Sequence, residues 1–311
     1  MNVQRPKIAL YGKRNFSEKL TVSFDFIREN WKPLFKYATY LILPVILIQS
    51  LTYSSLRSIV PQMELFMNSS AFAMVQTQML SLLGNYLLNF ALSTLAMLAL
   101  SALFYALIQL YNRREERLEG ITFHDFGSLM GHCAKRIFIL GITLFFFICI
   151  YLLLMGLAAY FSLWTLALTV PLFLVLCIAA TLTVPTYVFE DIPLFDAIPR
   201  AFNMGFRTWG GTFLILLVMG LIASLLQSIV SIPLTIVLVA KGMFTLSDPQ
   251  AVANTPVWVN MVQYVGTILM LYASYITTLF GIVGIAYQYG HASEVTDSVT
   301  VVSDIDNFDN L

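Results

Sequence analysis

Six stretches of this chain are long and apolar enough to cross a lipid bilayer, which limits the fold more than any other feature. A hydrocarbon core of about 30 Å needs about 20 apolar residues in a helix. The runs are Leu34–Leu56, Leu80–Leu110, Ile137–Tyr160, Leu163–Phe189, Thr212–Ala240 and Val257–Tyr289. No Asp, Glu, Lys or Arg stands in the middle of any of them. Only 11% of the residues are charged, against about 25% in a soluble domain. The expected fold class is therefore all-α, a polytopic membrane helix bundle with six transmembrane helices.

The charges cluster, and the clusters orient the spans. Fifteen of the 17 Lys and Arg residues fall in the N-terminal segment, in Arg113–Arg136, or at Arg200 and Arg207. Arg57 and Lys241 lie on the opposite side. The positive-inside rule places both termini in the cytoplasm and the loops Ser58–Gln78 and Gly242–Pro256 outside. The expected location is a bacterial inner membrane. The first 32 residues carry seven Lys and Arg residues and show no short apolar core ahead of a small-residue cleavage site. That reads as an uncleaved anchor. Prolines at 44, 171, 185 and 233 should kink their spans. Cys133, Cys149 and Cys177 have no disulfide or zinc-ligand spacing and read as small apolar residues.

Two stretches suggest internal repetition. When Phe24 is laid over Phe202, Trp31 falls on Trp209 and Phe35 on Phe213. Ahead of the first span, Asn15 and Glu18 form a capping-box pattern. Phe16, Leu20, Phe24, Ile27 and Trp31 then make one apolar helical stripe, with Lys19, Asp25 and Glu29 opposite. Ile198, Phe202, Phe206 and Trp209 repeat the stripe opposite Arg200, Asn203 and Arg207. A fainter copy begins at Thr122 and Asp125, with Phe126, Met130, Cys133 and Ile137. Each outgoing span would thus follow a short interfacial amphipathic helix. The expected organisation is a cytoplasmic tail over 1–15, three hairpins over about 16–112, 113–190 and 191–289, and an acidic, disordered cytoplasmic tail over 290–311.

The segment from Val188, VFEDIPLFDAIPRAFNMGFRTWGGTFLI, resembles the multi-helix membrane domain fused to some bacterial glycerophosphoryl diester phosphodiesterases. It is also similar to related stand-alone membrane proteins of unknown function. Glu190, Ala197, Ile198, Arg200, Ala201 and Phe202 fit the pattern, and the segment from Phe16 is similar to the start of that domain. AYQYGHASEVTD, from Ala286, is similar to its closing segment. The resemblance implies a fold and membrane placement. It does not imply hydrolysis, because the catalytic barrel of those fusions is a separate soluble domain and is absent here.

Catalytic patterns are missing. No phosphate loop, HExxH, GxSxG or paired-cysteine motif occurs, and no cofactor or metal is expected. His124 and His132 stand about 12 Å apart along a helix, too far for one metal. GSLMG at Gly127–Gly131 matches a helix-packing motif but lies outside the apolar core. The polar candidates are uncharged. Ser81, Asn85, Asn89 and Ser93 recur in the second span, and Gln263, Thr267, Ser274, Thr278, Gly281 and Gln288 share one face of the sixth. Such faces either pack helices together or line a polar cavity. Lys13, Arg14, Arg113, Arg114 and Arg117 sit where anionic phospholipid headgroups would lie. Zero net charge and the lack of a basic domain argue against nucleic acid.

Three functions remain open. The preferred reading is a non-enzymatic membrane protein, an accessory or scaffold subunit that organises lipids or other membrane proteins. The alternative is a permease or flippase-like carrier of a neutral or amphiphilic molecule. An intramembrane enzyme is the least supported, because no Asp, Glu, Lys or Arg lies in the middle of a span.

Overall fold

The computed structural model describes residues 6–67, 72–247 and 257–299. Eight α-helices and one short 3-10 turn account for nearly all of them, with no strand among the described residues. They are α1 (Phe16–Met67), α2 (Phe72–Arg113), α3 (Phe123–Phe161), α4 (Leu166–Ala180), α5 (Thr183–Glu190), α6 (Leu194–Arg207), α7 (Trp209–Ser247) and α8 (Val257–Asp297). Six helical segments are long and apolar enough to cross a membrane. They coincide with the six runs in the sequence, so the chain is an all-α, multi-pass membrane protein.

The helices outrun the apolar runs. Most of the expected loop Ser58–Gln78 is helix, because α1 reaches Met67 and α2 begins at Phe72. Residues 68–71 of that loop lie outside the described residues, as do 248–256 of the loop Gly242–Pro256. The fourth span is two helices, broken at Thr181 and Leu182. Pro185 explains the position of the break. It has no N–H for the Thr181 carbonyl, and its ring clashes with the carbonyl four residues back.

The three segments ahead of the first, third and fifth spans share one register. Their N-caps are Asn15, Thr122 and Pro193, each followed three residues later by an acid: Glu18, Asp125 and Asp196. The first two are reciprocal capping boxes. Asn15 N donates to Glu18 Oε2 at 2.9 Å, Glu18 N donates to Asn15 Oδ1 at 2.9 Å, and Thr122 N donates to Asp125 Oδ2 at 2.7 Å. The residue after each acid is buried, namely Lys19, Phe126 and Ala197. Seven positions on, Phe26, Cys133 and Met204 are buried as well. The first and third segments also break alike. Asn30 has φ −110° and ψ 19°, Thr208 has φ −114° and ψ 22°, and each directly precedes a tryptophan. The second segment has no break, so α3 runs straight from Phe123 into the apolar run.

In α1 and α6 the face buried in protein shares only Ile27 with the apolar stripes. Lys19, Ser23, Phe26 and Ile27 are buried in α1, and Ala197, Ala201, Met204 and Gly205 in α6. Trp31 is 53% exposed and Phe206 49% exposed. In a membrane protein the large apolar side chains face lipid, while small residues let backbones approach. Gly205 shows how closely: a Cβ there would stand 2.6 Å from the Ala179 carbonyl oxygen of α4.

The chain forms two compact units. One comprises residues up to Leu34, Ser101–Leu221 and from Leu279 onward; the other comprises Phe35–Leu100 and Ile222–Thr278. In the first, α6 packs on α4 and α5, and Leu182, Met204, Tyr289 and Ala292 form a buried cluster. The N-terminal segment is docked rather than trailing. Leu10 is 5% exposed, and a Cβ on Gly290 would fall 2.1 Å from the Leu10 carbonyl oxygen. The expected disordered tail is corrected in part. Gly290–Asp297 is the last part of α8, with Ala292, Ser293 and Glu294 buried, because this stretch packs against the chain's own N-terminal segment and α6 cluster. Residues 300–311 lie outside the described residues.

Gly205→Ala should lower the thermal unfolding midpoint in detergent, because overpacking costs about 1–3 kcal/mol. Gly210→Ala, whose Cβ would meet nothing within 4 Å, serves as the control and should leave the midpoint unchanged.

Candidate functional site

Two polar clusters, one in each unit, join side chains from different helices. In the second unit, Gln49 of α1 is fully buried. Its amide nitrogen donates to Ser93 Oγ at 2.9 Å, and its Oε1 accepts from the Tyr275 hydroxyl at 2.7 Å. Thr52 Oγ1 donates to Asn89 Oδ1 at 3.0 Å, and Asn89 donates to the Asn85 carbonyl at 2.9 Å. Lipid offers no partner for these groups, so each must find one in the protein. Thr39 and Tyr272 share a further hydroxyl–hydroxyl bond of 2.7 Å.

The structure brings together only part of the predicted polar set. Asn89 and Ser93 join the Gln49 cluster. Asn85 donates to its own helix at the Ser81 carbonyl, 3.0 Å away. On α8, Thr267 donates to the Gln263 carbonyl, Thr277 to that of Ser274, and Thr278 to that of Tyr275. These are local bonds within α8, and none of them reaches the Gln49 cluster. Sequence reasoning missed Gln49 and Tyr275. The available signal was Gln49 itself, an amide inside the first apolar run.

In the first unit, polar groups gather around the end of α8. Glu190 of α5 pairs with Arg200 of α6 at 2.5 Å and accepts from the Tyr289 hydroxyl at 2.9 Å. Arg200 also reaches Asp297 at 2.8 Å. The Tyr11 ring meets Tyr289 edge-on, and burial pushes the Tyr11 phenol above its ordinary value. Glu190 and Arg200, two residues of the family-like pattern, are thus an ion pair joining neighbouring helices. Lys19 is 4% exposed; its ammonium donates to Gln288 Oε1 at 2.8 Å, and Gln288 donates to Thr212 Oγ1 at 3.0 Å.

The basic candidates divide. Arg14 is used internally: its backbone N–H donates to His291 Nδ1 at 3.1 Å, and its guanidinium donates to the Leu10 and Ala9 carbonyls. Burial pulls that guanidinium below its ordinary value. Arg114 pairs with Glu116 at 3.4 Å and Asp125 at 3.8 Å. Arg117 reaches Glu29 at 2.7 Å. Lys13 and Arg113 are exposed. A second tie joins Arg136 of α3 to Asp191 in the turn after α5. Glu29 and Arg136 stand at the same position of their segments, and Arg117 and Asp191 both have left-handed backbones, with φ of 59° and 54°. The two ties therefore repeat with the charges exchanged.

His132 Nε2 lies 3.5 Å from Asp191 Oδ1. Among the described residues no group of three His, Cys, Asp or Glu could hold a metal ion. Two shallow surface grooves among the described residues are lined by Phe24, Asp25, Ile27, Arg28 and Trp31, and by residues of α6 and α8 around Arg200 and Asp297. Comparison with known proteins returned no match: no family model, no curated protein and no solved structure.

Gln49→Leu should cost about 1 kcal/mol, near the upper part of the range for interhelical bonds in membranes. Asn85→Leu, which breaks only a local bond, should cost much less. Denaturant-induced unfolding in mixed micelles, with the two variants side by side, checks the order.

Proposed function

We propose that this chain is a non-catalytic membrane scaffold or accessory subunit that organises lipids or other membrane proteins. It would lie in a bacterial inner membrane as three hairpins with both termini in the cytoplasm. The observation that carries this reading is how little of three spans the chain itself covers. Only 6% of the apolar window of Phe123–Phe161 is buried, 17% of Leu163–Glu190 and 11% of Trp209–Ala240. The corresponding shares for the other three spans are 39, 50 and 44%. Faces of that extent suit lipid and the helices of a partner.

Other features support the same reading. The repeated cap register and the two ties with exchanged charges fit three hairpins built on one plan. The likeness to the membrane domain of the phosphodiesterase fusions fits the same placement. The buried polar side chains bond mainly to carbonyls of their own helices or to one another, which favours packing over a substrate path and weakens the carrier alternative.

Two measurements test this. A fluorescent protein fused after Leu311 should fold and fluoresce, and alkaline phosphatase fused there should stay inactive; the reverse would overturn the topology. Photo-crosslinking from Phe146, 62% exposed on α3, should capture a stoichiometric membrane protein after gentle extraction. A lone chain that co-purifies with one defined small molecule would instead favour the carrier.

A further inference from the structure

At the break in α1 the structure leaves two cations unused. Arg28 and Lys32 are exposed one helical turn apart, and among the described residues neither pairs with a carboxylate. The nearby Glu29 is occupied by Arg117 and by the Tyr111 hydroxyl, at 2.7 and 3.2 Å. Between the cations stands Trp31, 53% exposed, with the Lys32 ammonium 5.9 Å from its ring centre. Phe24, Asp25, Ile27, Arg28 and Trp31 line a shallow groove at this place. An exposed indole beside unpaired cations, where a polar helix gives way to an apolar one, is the chemistry of a lipid headgroup site.

The internal repeat supplies a comparison within the same molecule. The equivalent stretch at the α6–α7 junction has the same break, at Thr208, and the same tryptophan, Trp209. In place of Arg28 and Lys32 it carries Phe206 and Gly210. Trp209 is also turned inward, stacked on Phe213 and donating to the Val175 carbonyl at 3.3 Å. The two copies share a backbone device and differ in charge and in indole exposure. The charges at 28 and 32 are therefore not needed to make the break.

We infer that Arg28, Lys32 and Trp31 form a binding site for the headgroup of an anionic phospholipid, with Asp25 limiting its net charge. The inference rests on the proposed membrane placement but not on its orientation. Two basic residues at about 1 kcal/mol each, offset in part by the Asp25 charge, give a lipid preference of order tenfold. Salt should weaken it, since the charges are exposed.

The experiment uses full-length protein with Trp31 as its single tryptophan, made by W164F, W209F and W258F. It is reconstituted in vesicles of phosphatidylcholine mixed with brominated phosphatidylglycerol or, separately, brominated phosphatidylcholine. Quenching of Trp31 should show the roughly tenfold preference for the anionic lipid. R28Q/K32Q should bring the preference near unity, and D25N should raise it. A protein keeping only Trp209 should show no preference. Equal quenching of Trp31 by the two lipids would overturn the site, as would a preference that survives R28Q/K32Q. Should the double variant fail to fold, a salt titration on the Arg28/Lys32 protein decides: loss of the preference in salt supports the site, and persistence overturns it. Both leaflets of these vesicles carry the same lipids, so a failure here leaves the fusion-based topology test unaffected.

Discussion

A hydrogen-bonding group in hydrocarbon has no water to fall back on, and the arrangement of this chain follows from that cost. Leaving one such group unpaired costs several kcal/mol, so the spans must be helices with internally satisfied backbones. The same cost draws Gln49, Ser93 and Tyr275 together although they lie far apart in sequence. It also turns the hydroxyls of Thr267 and Thr278 back on their own helix. Where Pro185 denies the Thr181 carbonyl its donor, the helix simply ends and restarts.

Charges obey a different rule and are confined to the ends of the spans. Glu29 with Arg117 and Arg136 with Asp191 join equivalent positions with opposite polarity. What the two copies keep is the ion pair and the left-handed turn; which side carries the acid is free to change. An ion pair is indifferent to exchange of its signs so long as both partners remain. Each tie joins a helix to the turn that follows the next span in the chain. It fixes how far the two joined segments can separate, which apolar contacts alone leave loosely specified.

The spans were legible in the sequence because hydropathy over 20 residues depends only on composition. The caps were legible because Asn15 with Glu18, and Thr122 with Asp125, need only neighbours three residues apart. The inward face was not legible. Periodicity separates two faces of a helix but does not say which one meets protein. In water the large apolar stripe goes inward; here Trp31 and Phe206 face outward, while Ser23, Ala201 and Gly205 are packed. The acidic residues after Tyr289 misled for a related reason: their helix is held by Leu10, Tyr11 and Arg200, whose positions only the fold reveals. Asn89 and Ser93 were found because they recur along one helix, whereas Tyr275 came to them from another.

Lys19 marks where the demands of folding and the choice of residue part. Its position in the repeat is filled by Phe126 in the second copy and Ala197 in the third, both buried. The shared helix register therefore tolerates an aromatic ring or a methyl group at that point. In the first copy an ammonium is buried there, held by an amide oxygen of Gln288 rather than by a carboxylate. A lone buried charge loses more in desolvation than one neutral acceptor returns. Packing does not call for the charge, because two other solutions to the same packing stand in the same chain. Gln288 and Thr212 complete the chain of bonds from Lys19, so α1, α7 and α8 are joined through a group that an apolar residue could have replaced.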